Sequence, residues 1–145
     1  MYKRILVPLD GSETAEAVLP HALELAKLTE GEIFLLSVPT DPAAAFAFGD
    51  PGLASEFVDT KESVTQKYLK SIKKDLEDKG SKVSMLIRDG AVAPVIIAVS
   101  EEINADIIAM STHARTGVAH LFLGSVAEKI LRASKLPIML IRPAV

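Results

Sequence analysis

Apolar and polar positions along the chain alternate between two periods. Nearly continuous apolar runs stand at residues 5–9, 33–38, 83–87, 107–110 and 137–141. Short runs rich in branched residues are what strands covered on both faces require. Between them the apolar residues recur at helical spacing. The first helical stretch carries Ala15, Val18, Leu19, Ala22, Leu23 and Ala26, and Glu30-Gly31 stops it. Pro20 lies well inside this stretch, where its missing N–H predicts a kink. Asp10, with Glu13 three residues on, reads as the start signal of that helix. A long amphipathic helix over residues 53–79 presents Phe57, Val64, Tyr68, Ile72 and Leu76 on one face and a dense mixture of charges on the other. Two more helices follow, one with Val92, Val95, Ile96 and Val99, the other with Val126, Ile130 and Leu131.

Five strands alternating with helices predict an α/β fold with right-handed crossovers and a parallel sheet covered on both faces. Residues 39–52 break the pattern. They hold three of the eight prolines and an apolar patch with Phe46 and Phe48, and read as a long connection that either covers a ligand or links elements passively.

In such sheets ligands bind beyond the carboxyl ends of the strands, where strand order reverses. Small and polar residues gather after the first strand (Asp10, Gly11, Ser12) and after the fourth (residues 111–117). The second loop leads to Gly124-Ser125, which opens the last helix. A strand feeding a loop that ends at a helix start brings backbone N–H groups together where phosphates could sit. Ser125 with Glu128 also reads as a capping box, which needs no ligand.

Composition narrows the function. The chain has 145 residues, 49% hydrophobic and 24% charged, and is expected to form one domain over residues 1–145. A net charge of −3 argues against a nucleic-acid surface. No apolar run approaches the roughly 18 residues of a membrane span. The absence of cysteine removes disulfide and thiolate chemistry and fits a cytoplasmic protein. His113 and His120 lack a second ligand pair, so a zinc site is not expected. Neither a G-x-S-x-G turn nor a full Walker A pattern is present, which favours a binding protein with any nucleotide turnover slow and incidental.

Residues 3–12 (KRILVPLDGS), 105–110 (ADIIAM), 111–117 (STHARTG) and 123–128 (LGSVAE) together resemble the universal stress protein family, in its ATP-binding branch with a degenerate glycine motif. The resemblance runs from the first strand to Arg142. It implies a three-layer, doubly wound, five-stranded parallel sheet, Rossmann-like and adenine nucleotide alpha hydrolase-like, in the order 3-2-1-4-5. It also implies a stress-response or regulatory homodimer joined through the last strand, residues 137–142, binding ATP, ADP or AMP. The family's glycine-x2-glycine-x9-glycine-serine/threonine loop falls on Ser111, Ala114, Gly124 and Ser125, of which the last two match. Around these, Thr112, His113, Arg115 and Val126 complete the phosphate side of the implied site. Pro8, Asp10 and Val38 form its adenine and ribose side. Asp10 is a candidate for the ribose hydroxyls, or for magnesium together with the phosphates. Arg115 could pair with a phosphate through its forked donors, and Ser111 could add a hydroxyl donor. Two other readings remain open: a dimeric interaction module that binds no nucleotide, and a nucleotide-hydrolysing enzyme.

If position 114 needs a left-handed backbone, alanine there costs on the order of 1–2 kcal/mol. Ala114→Gly should then tighten ATP binding by about tenfold in equilibrium titration. An unchanged affinity would show that alanine fits without strain.

Overall fold

In the computed structural model the described residues are 1–39, 51–112 and 124–143, with side chains of residues 51–63 outside the description. The elements are β1 (Arg4–Pro8), α1 (Glu13–Glu16), α2 (Leu19–Thr29), β2 (Glu32–Ser37), α3 (Pro51–Asp78), β3 (Lys82–Ile87), α4 (Val92–Glu102), β4 (Ile107–Ser111), α5 (Ser125–Ala133) and β5 (Ile138–Ile141). All pairings are parallel, and the sheet order is β3-β2-β1-β4-β5, the expected α/β architecture.

Strand β1 lies at the centre, and Ile5, Leu6 and Val7 are fully buried because both faces are covered. Its odd positions Ile5 and Val7 join Ile33, Leu35 and Ile107 beneath α1, α2 and α3, which contribute Ala15, Val18, Ala22, Ala26, Leu69 and Leu76. The alternate positions, Leu6, Phe34, Leu36, Ile108 and Met110, meet Ala93, Ile96 and Val99 of α4 and Ala127 and Ile130 of α5. The period of two along each strand thus feeds two separate apolar layers.

Four local expectations are corrected. Pro20 does not kink one helix but divides two, α1 and α2, and sits in the first turn of α2. A continuous helix would require its nitrogen to donate to the Glu16 carbonyl, which proline cannot do. Helix α3 begins at Pro51, so the connection after β2 is shorter than residues 39–52, and residues 40–50 lie outside the description. On α3 the buried residues among those described are Leu69 and Leu76, and Val64 is 61% exposed instead of packing with Tyr68, Ile72 and Leu76. On α5 Leu131 likewise faces solvent, and the buried pair is Ala127 and Ile130.

The turn from α2 into β2 separates two requirements that adjacent residues meet. Glu30 takes the left-handed conformation, φ 54°, and the Gly31 amide closes the helix by donating to the Ala26 carbonyl. Gly31 is needed for room: a Cβ there would stand 2.6 Å from the Lys3 carbonyl oxygen. Gly31→Ala should therefore cost about 1–3 kcal/mol in urea unfolding. A midpoint equal to that of the parent protein would show that the Lys3 segment yields freely.

Candidate functional site

Strands β1 and β4 are neighbours at the centre of the sheet, and their chains leave towards opposite edges, β1 to β2 and β4 to β5. At their carboxyl ends lies a cleft of about 230 Å³ lined by Pro8, Leu9, Asp10, Ala15, Leu36, Val38, Val92, Ile96, Met110, Ser111 and Val126. Its floor is apolar, supplied by strand ends and by α4. Its polar lining residues are Asp10 and Ser111.

Five of the sequence-predicted residues, Pro8, Asp10, Val38, Ser111 and Val126, line this one cleft. Thr112 does not line it. Its side chain is buried, and its amide donates to the Ile141 carbonyl at 2.9 Å, joining the end of β4 to β5. Gly124 and Ser125 stand at the start of α5, next to the lining residue Val126. His113, Ala114 and Arg115 lie outside the described residues.

The expected start signals take a different form. Asp10 does not cap α1. Ser12 is the cap, its Oγ accepting from the Ala15 amide at 3.1 Å. Asp10 stands before it, and its Oδ1 accepts from the Ser12 amide at 2.9 Å and from the Ser12 hydroxyl at 2.6 Å. This turn fixes the carboxylate at the mouth of the cleft. The capping box at Ser125 is absent too. The helix begins one residue earlier, from Gly124 with φ 103° and ψ 147°, and no side chain among the described residues caps it. Glycine suits that left-handed φ because it carries no Cβ. The result is a helix start whose first-turn N–H groups are not taken by a capping side chain among the described residues.

Ser111 differs from the expected phosphate donor. Its hydroxyl is buried and donates to the Ala15 carbonyl at 3.1 Å, so its one proton is directed at α1. The apolar floor residues Leu36, Ile96 and Met110 were legible in the sequence only as core. Nothing in a hydrophobic pattern separates a residue under a helix from one under a cleft.

Tyr68 of α3 fastens α1 from the other side, donating from its hydroxyl to Glu16 Oε2 at 2.8 Å. Burial raises the phenol's pKa well above the ordinary tyrosine range, and the hydrogen bond to Glu16 and the charges of Glu16 and Asp10 raise it further. Among the described residues no cluster of three or more His, Cys, Asp or Glu side chains could hold a metal ion. No helix among them is long and apolar enough to cross a membrane.

The profile of the Universal stress protein family matches residues 1–142, and the chain belongs to that family. Universal stress protein MJ0577 of Methanocaldococcus jannaschii is 34% identical over 155 residues, spanning 98% of this chain and 96% of the relative. Its solved structure superposes with a TM-score of 0.85 at 33% identity, covering 99% of this chain and 98% of that one. MJ0531 of the same organism is 33% identical over 144 residues, 98% of this chain and 83% of its own. A universal stress protein solved in complex with cAMP shares the fold, with a TM-score of 0.70 at 17% identity over 99% of this chain and 98% of that one.

The raised phenol pKa has a measurable sign. A group harder to ionise folded than unfolded leaves stability intact below its unfolded pKa, about 10 for tyrosine, and lowers it as pH rises beyond that. In a Tyr2→Phe background, tyrosinate absorbance should therefore be delayed in the folded protein, and Glu16→Gln should bring it to lower pH. An unperturbed titration of Tyr68 would refute the Glu16 contact.

Proposed function

We propose that the cleft binds an adenine nucleotide, ATP or its di- or monophosphate, and that the protein is a nucleotide-responsive regulator rather than an enzyme. The observation that carries this reading is the lining itself. Pro8, Asp10, Val38, Ser111 and Val126 converge from β1, β2, β4 and α5 on one crevice at the strand ends. Apolar walls suit the faces of a base. The Asp10 carboxylate suits a ribose hydroxyl pair, since carboxylate oxygens accept several hydrogen bonds. The start of α5, with glycine at its cap and no capping side chain among the described residues, suits phosphate oxygens. The described walls enclose about 230 Å³, below the usual ~300–1,000 Å³ of ligand pockets, which matches base and sugar inside with phosphates at the open side. Asp10 is also the residue that would share a magnesium ion with the phosphates.

The reading extends to assembly in a cytoplasmic setting. β5 is an edge strand whose four residues are only half-buried. Pairing two copies through residues 137–142 would remove that edge by a closed two-fold contact.

Calorimetric titration of ATP into nucleotide-stripped protein, combined with sedimentation equilibrium, tests both parts. Saturable binding by a particle of twice the 15.5 kDa chain mass is expected. Asp10→Ala should weaken that binding by about tenfold, given the ~1.5–3 kcal/mol of hydrogen bonds to charged groups. No binding at millimolar ATP would leave an interaction module as the reading. Phosphate release at enzyme-like turnover, lost in Asp10→Ala, would make the protein a hydrolase.

A further inference from the structure

We infer that Ser111 is a positioning residue, whose hydroxyl clamps α1 against the end of β4 and thereby sets one wall of the cleft. The inference rests on the nucleotide reading above for its effect on binding, but the clamp itself does not depend on it.

Helix α1 is a single turn, Glu13–Glu16, cut off from α2 by residues 17 and 18. A turn of that length has little stability of its own, because nucleation is costly and few hydrogen bonds repay it. Yet it carries Ala15, and the turn before it carries Asp10, both on the cleft wall. Something outside the helix must hold it. On the sheet side, Ser111 Oγ donates to the Ala15 carbonyl across 96 positions of sequence, in a buried setting where a hydrogen bond is poorly replaced by water. On the outer side, Tyr68 holds Glu16. Ser111 itself sits at the end of β4, in register with Ile141 of β5, so its own position is fixed by the sheet.

The residue therefore acts on a ligand through Ala15 and the turn at Asp10, not through contact with a phosphate. A glycine at position 111 would leave the Ala15 carbonyl without this donor. Serine trades the closer backbone approach that glycine permits for a fixed wall on the opposite side.

The test compares the parent protein with Ser111→Ala and Ser111→Thr by amide hydrogen exchange of residues 13–17 without ligand, and by calorimetric titration with adenosine and with ATP. A clamp predicts faster exchange of residues 13–17 in Ser111→Ala and about fivefold weaker binding of both ligands, the size of one ordinary hydrogen bond. Ser111→Thr, which keeps the hydroxyl, should restore both. Thermal melts confirm that each variant is folded. Should Ser111→Thr fail to fold, Ser111→Cys serves instead, its thiol a weaker donor at the same place that should recover part of both. Unchanged exchange in Ser111→Ala overturns the inference, and so does a loss confined to ATP, which would make Ser111 a direct phosphate ligand. If the parent protein binds neither ligand, the nucleotide reading fails, while the exchange data still decide the clamp.

Discussion

Right-handed crossover is the constraint from which the cleft follows. Every connection between parallel strands of one sheet must turn the same way. Moving from β1 to β2 therefore carries α1 and α2 to one face, and moving from β4 to β5 carries α5 to the other. Because β1 and β4 are neighbours, the two departing chains separate above their carboxyl ends and leave a crevice between them. The opening is a product of topology before any side chain is considered. What the side chains add is its character: an apolar floor, one carboxylate at the mouth and a helix start opposite.

Burial elsewhere makes that opening affordable. The central strand is sealed on both faces by Ile5, Leu6 and Val7, and its entry is tied down at the far end. There the Asp106 carboxylate accepts from the amides of Lys3 and Arg4, each at 2.9 Å, and Arg4 Nε donates to the Ile103 carbonyl. Arg4 also lies over the ring of Phe34, 4.9 Å from its centroid. The end of the sheet away from the cleft thus has a polar fastening of its own.

The strands, their order and the two-sided burial were legible in the sequence because period and run length report them directly, with the order supplied by the family resemblance. Helix faces were less legible. Val64 and Leu131 lie near the right stripe, but a small rotation of a helix turns a border residue to solvent, and only packing decides it. The cap assignments failed for a related reason. Asp10 and Ser12 are both competent cap residues two positions apart, and sequence cannot say which one the turn delivers to the Ala15 amide. Ser125 lost its capping role because Gly124 can take φ 103°, which starts the helix one residue sooner. The buried partnership of Ser111 with a carbonyl 96 residues away had no sequence signal at all.

Pro20 has a mechanical consequence beyond ending a helix. By splitting α1 from α2, it makes the cleft wall and the core-packing helix separate parts joined by a short linker. Changes that shift α2 by a fraction of an ångström as the core repacks need not be transmitted to the cleft wall. The wall takes its coordinates from β4 and α3 instead. The core beneath α2 can thus be repacked without the shift passing straight into the wall that Ala15 forms.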